Sequence, residues 1–311
     1  MTSELTIPSA FIKRRIHSIT GLFLVLYLIE HLFVNSQAAL LVGENGKGFV
    51  DAVNSIHNLP YLPVIEMVLL GIPILAHAWW GVQYLFTAEP NSYGYTGTKP
   101  YLPQYYRNHA YTWQRITSWI LVFGILAHVI HMRFIEYPAS AQVGSTKNYM
   151  VRLNNDSGLE TLGARLGFEL YDKKQIESKK GEIINQRSYK ESPVIKAQRE
   201  KQEKEWLVAL ERRPLRAGEV MAVTDNFGTA ELLMVRETFK MPLMLALYTI
   251  FVLSACFHAF NGLWTFMISW GVTLTSASQR MMLRIAYSIM ALISFLGLAA
   301  IWGTYWINLK Q

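Results

Sequence analysis

Residues 14–35 read RRIHSITGLFLVLYLIEHLFVN, and their reading decides the fold. Two arginines and His17 open the stretch, a run without charge continues to Glu30, and a second histidine, His31, follows directly. Extended over 16–42, this run is long enough to cross about 30 Å of hydrocarbon as a helix. Four more runs of the same kind lie at 61–87, 113–135, 241–271 and 281–309. The first run is too long for the apolar part of a secretory signal and lacks a convincing small-residue cleavage site, so it is expected to be retained.

Composition agrees. The chain has 311 residues, 51% hydrophobic and only 16% charged, where a soluble fold carries about a quarter charged. The single Cys256 excludes an internal disulfide, a four-cysteine zinc site and an iron–sulfur cluster ligated by this chain alone. Neither G-x-G-x-x-G nor G-x-x-x-x-G-K occurs. Redox chemistry would therefore rest on histidine-held cofactors, with the electron donor on another chain. The net charge of +7 suits a membrane surface. It does not indicate nucleic acid, because the basic residues form no stripe interleaved with aromatics.

Short-loop charge sets the orientation. Lys13, Arg14 and Arg15, then Lys99, Arg107 and Arg115, then Arg280 and Arg284 fall on one side, which is the cytoplasmic one, so the N-terminus is expected inside. The loop 137–239 is then external. It is rich in lysine, but loops beyond about 60 residues translocate largely regardless of charge. Within it, Ser192 and Pro193 open a helix that stops before Pro214. A hairpin is expected after it, with 220–223 and 232–235 flanking a turn at Asp225, Asn226 and Gly228. The insertion shows no catalytic constellation and reads as a solvated cap or docking surface. The expected fold is an all-α membrane protein. Residues 1–136 form helices one to three and residues 240–311 form helices four and five, with a mixed insertion on the outer face between helices three and four.

Six histidines fall in or at the spans: His17, His31, His77, His128, His131 and His258. Ionisable groups are costly in hydrocarbon and mark functional sites there. At about 1.5 Å rise per residue, His31 and His128 each lie about 22 Å from the inner ends of their spans. His77 and His258 lie about 24 and 26 Å from the outer ends of theirs. Two pairs result, one in each half of the membrane, and a facing pair can ligate a haem iron from both sides. Ligation by two histidines leaves no open iron position and favours electron transfer over oxygen chemistry. His131 is the rival to His128, three residues along the helix. His17 lies near the inner surface. It reads either as a hydrogen-bond partner of a haem propionate or quinone, or as a wetted interfacial histidine, and Arg14, Arg15, Arg115 and Arg280 pose the same choice.

The segments RRIHSITG (14–21), EHLFVN (30–35), HAWWGVQYLFTA (77–88), WQRIT (113–117) and FHAFNGLWTFMISWGVTLT (257–275) together resemble the cytochrome b558 subunit of succinate dehydrogenase. More closely, they resemble the single-chain, five-helix, dihaem anchors of bacterial succinate:menaquinone oxidoreductases and the related fumarate reductases. The resemblance covers about residues 9–136 and 240–311, while the long insertion departs from compact members of the family.

By position, His77 and His258 resemble the ligands of the haem proximal to the catalytic subunits, and His31 and His128 those of the distal haem. The resemblance implies two haem b groups, a flavoprotein subunit, an iron–sulfur subunit, menaquinone as electron acceptor, and the bacterial cytoplasmic membrane as location. Quinone reduction needs protons. Glu66, one to two turns inside the outer end of the second span, reads either as a proton relay or as a hydrated interfacial glutamate. Glu30 and Glu136 are weaker candidates. Two other classes stay open: a dihaem cytochrome b of a hydrogenase or formate dehydrogenase, and a haem-free transporter or structural membrane protein. Against a transporter, no repeats or matched broken helices are visible.

Overall fold

The computed structural model describes residues 7–40, 44–89, 91–92, 99–185 and 192–309. In chain order the elements are α1 (Ser9–Ser36), α2 (Lys47–His57), α3 (Leu62–Thr87), α4 (Tyr106–Ile135), β1 (Ala139–Val143), β2 (Thr146–Asn154), α5 (Leu159–Leu166), β3 (Glu169–Tyr171), α6 (Lys173–Asn185), α7 (Pro193–Glu211), β4 (Glu219–Thr224), α8 (Phe227–Thr238), α9 (Pro242–Ser269) and α10 (Ser276–Ile307). Among the described residues α1, α3, α4, α9 and α10 are long and apolar enough to cross a membrane.

The chain divides into two compact units. The first comprises residues 1–35, 60–129 and 246–298. Its large side chains point outward as freely as inward: Leu75 is 69% exposed, Phe86 73% and Phe123 66%. Water would penalise such a surface and hydrocarbon does not. The small residues do the internal packing. A Cβ on Gly124 would stand 2.5 Å from the Phe251 ring, and one on Gly297 would stand 2.6 Å from Val252.

In α3 the turn Met67–Gly71 is of the wider π type. Pro73 follows at once and brings no backbone N–H, so the ladder of helix hydrogen bonds is interrupted just before His77. Span ends differ from the sequence reading. The first helix starts at Ser9 and stops at Ser36, because apolar character continues past the helix into residues 37–40, which turn. The expected end near Val42 lies outside the described residues.

The second unit comprises residues 36–59, 130–245 and 299–311. Its sheet has the order β1-β2-β4-β3, antiparallel throughout. One face carries Ala139, Ala141, Met150, Met221 and Val223 against Ile176 of α6 and Ala209 and Leu210 of α7. The helix α7 begins where Ser192 and Pro193 predict, with the Ser192 hydroxyl accepting from the Ile195 N–H at 3.4 Å. On β4 both faces are buried, and α8 packs beside β2 and β4. Helix α2, from the connection after the first span, packs on α8 closely enough that a Cβ on Gly228 would lie 2.4 Å from the Val50 carbonyl oxygen.

The expected hairpin over 220–235 does not form. Its first arm is β4, but Asn226 caps a helix, accepting from the Thr229 N–H at 3.0 Å, and residues 232–235 lie inside α8. The apolar run there is long enough for either element, and Asn226 serves a helix start as readily as a turn. The hairpin of this unit is instead β1–β2, turning at Gly144 with φ +61°.

Candidate functional site

Within the first unit four helices bring the proposed ligands together in the pairs that depth predicts. The His31 and His128 rings have centroids 6.0 Å apart with planes crossed at 80°. The His77 and His258 rings are 6.2 Å apart, crossed at 83°. Two metal–nitrogen bonds of about 2 Å, with each ring centre roughly 1.2 Å behind its nitrogen, would separate opposed imidazoles on one metal by about 6.4 Å. Both pairs have that spacing. A shared metal does not itself fix the crossing angle, because rotation of a ring about its metal–nitrogen bond leaves the spacing unchanged. Among the described residues no three His, Cys, Asp or Glu side chains converge as a metal cage. A haem iron requires only two, since the porphyrin supplies the other four nitrogens.

The second nitrogen of each ring is also engaged. The His77 Nδ1 stands 2.9 Å from the His17 main-chain oxygen, which can only accept, so Nδ1 carries the proton and Nε2 is left bare. The Ser118 hydroxyl donates to the Gln114 carbonyl at 2.6 Å and then offers only its lone pairs to His258 Nδ1 at 3.4 Å. His31 Nδ1 lies 3.3 Å from the Tyr27 hydroxyl, and His128 Nδ1 lies 3.2 Å from the Tyr248 hydroxyl. Metal-binding histidines are ordinarily held this way. His131 belongs to the other compact unit, with Nδ1 3.3 Å from the Met132 sulfur.

The seat of His77 comes from one short motif. His17 and Gly21, four residues apart on α1, share a face. The His17 ring stacks on His77 at 4.0 Å and 14°, while a Cβ on Gly21 would come 2.9 Å from His77 Cε1. His17 is therefore a packing partner of a proposed ligand, which depth alone did not show. Across the other helices, Gln114 donates to the His258 carbonyl at 3.2 Å and accepts from Asn261 at 2.7 Å. The WQRIT and FHAFNG segments are thus tied beside that ring.

The basic candidates separate. Arg115 donates to the Leu85 carbonyl in the last turn of α3 at 3.1 Å and to that of Ala88, just past the helix, at 3.2 Å, as a helix end requires. Arg15 donates to the Ser269 carbonyl at 2.6 Å and lies over the Phe11 and Trp270 rings. Arg14 lines a cleft of about 420 Å³ with Lys13, Trp80 and Tyr84. Arg280 is exposed. Glu66 is exposed on α3 rather than buried. Glu30 is exposed as well, and Glu136 pairs with Arg213 at 2.9 Å.

No family model and no solved structure matches the chain. Among curated proteins it is similar to the succinate dehydrogenase cytochrome b558 subunit of Bacillus subtilis (strain 168), at 25% identity over 294 residues, covering 94% of this chain and 96% of that protein. The resemblance carried by the motifs is thus borne out: the chain is similar to a succinate dehydrogenase cytochrome b558 subunit.

Proposed function

We propose that this chain is the membrane anchor and electron-transfer subunit of a bacterial succinate:quinone oxidoreductase. In this reading His77 and His258 hold the proximal haem b, and His31 and His128 hold the distal one. Haem iron with two histidine ligands supplies one-electron chemistry without an open coordination position. The chain's own residues do the rest. Paired helices set the ligand spacing, the Nδ1 partners fix which nitrogen faces the metal, and the apolar helix surfaces exclude water. Electrons enter from an iron–sulfur subunit, fed by a flavoprotein subunit that oxidises succinate, and leave to a quinone, for which menaquinone is the proposed species. Glu66, on the surface of α3, is the proposed proton relay for that last step.

The observation that carries the proposal is the pair of 6.0 and 6.2 Å ring separations. The purified complex should contain two b haems per copy of this chain, measured as a haem-to-protein ratio. His31→Ala or His128→Ala should remove one absorbance component, and His77→Ala or His258→Ala the other. A folded, haem-free wild-type chain would refute the proposal. Identification of the co-purifying soluble subunits separates succinate dehydrogenase from a hydrogenase or formate dehydrogenase.

A further inference from the structure

The two histidine pairs differ in what holds them. His77 and His258 are oriented by a main-chain carbonyl and by a serine hydroxyl whose proton is already used. His31 and His128 are each oriented by a phenol instead. Tyr27 lies one helical turn before His31, so the two share a face of α1, with ring centroids 5.3 Å apart and planes 24° apart. Tyr248 approaches His128 from α9 at 5.7 Å, and Phe251, one turn further along, lies at 5.7 Å from the same ring. The position of Phe251 is fixed in turn by Gly124, whose missing side chain leaves room for it.

We infer that Tyr27 and Tyr248 are positioning residues for His31 and His128, and that their phenol oxygens set how strongly those imidazoles donate to the iron between them. The inference rests on the haem reading above. With Nε2 on the metal, Nδ1 carries the proton and donates it to the phenol oxygen. An acceptor at Nδ1 makes the imidazole a stronger electron donor, which favours the oxidised iron. Removing the oxygen therefore favours the reduced iron and raises the reduction potential of that haem alone. A phenol can be removed by one substitution that keeps the ring, whereas the main-chain carbonyl that orients His77 cannot.

The test is an optical redox titration of the whole complex, comparing wild type with Tyr27→Phe and Tyr248→Phe. Each substitution should move one and the same haem component to higher potential, leave the other in place and preserve the haem-to-protein ratio. Two bound haems with neither component moved, a downward shift, or different components moving in the two variants would overturn the inference. Should phenylalanine cost the haem itself, 3-fluorotyrosine at the same position keeps a weaker acceptor and must still raise that component. An unmoved component there overturns the inference too. A wild-type complex lacking two haems sinks the haem reading instead, and the ratio measured beforehand distinguishes that failure from this one.

Discussion

At the scale of single residues the site depends on what is missing from Gly21 as much as on what His77 contributes. A methyl group at Gly21 would sit 2.9 Å from His77 Cε1 and 3.2 Å from Nδ1, so the ring would have to shift off the His17 carbonyl. Overpacking of this kind costs about 1–3 kcal/mol. Gly21→Ala should therefore lower thermal stability and perturb the spectrum of the haem assigned to His77 and His258, leaving the other component unchanged. Gly262→Ala, with nothing within 4 Å of the added carbon, is the control and should be silent in both measurements. The sequence shows part of this in advance. Gly21 and Tyr27 each stand four residues from a histidine, on its own helix face. Ser118 and Tyr248 meet their histidines from other helices, 140 and 120 residues away, and no local spacing reports that.

At the scale of elements, α8 shows how a short apolar helix carries a charge at a cost. Along Phe227–Thr238 most residues are buried, and the half-buried Glu231 keeps its Oε1 atom enclosed without a hydrogen-bond partner. Burial raises its carboxyl from 4.5 to about 7, and Arg133 only partly opposes this. The folded state thus binds the proton more tightly than the unfolded chain. Stability from this group is full below about pH 4.5, declines as pH rises through 7 and is flat above, a change of about 3 kcal/mol. Glu231→Gln should flatten that slope and raise the melting temperature at pH 8 more than at pH 5, as thermal unfolding in detergent would report. An unchanged slope would mean that the carboxyl is hydrated. The same helix is where the sequence reading failed, because 232–235 is apolar without a period long enough to separate strand from helix. The five long runs carried no such ambiguity, since only a helix can satisfy its own backbone over that length in lipid.

At the scale of the molecule, the connections after the first and third spans fold as one unit, in which α2 packs on α8. Depth along the spans was readable because rise per residue is constant. Rotation about each helix axis was not, and so the contact of His17 with His77 went unseen. Which pair faces the cytoplasm depends entirely on orientation, and the charge rule proposes an inside N-terminus. Cys256 makes that testable, since the only native thiol is fully buried. Val194 at the start of α7 is 76% exposed, and Tyr105 between the second and third spans is 58% exposed. In intact cells an impermeant maleimide should label Val194→Cys directly and Tyr105→Cys only after permeabilisation. The reverse pattern would place His31 and His128 on the cytoplasmic side. The iron–sulfur subunit would then have to deliver electrons to the pair held by Tyr27 and Tyr248, and the proximal and distal assignments would exchange.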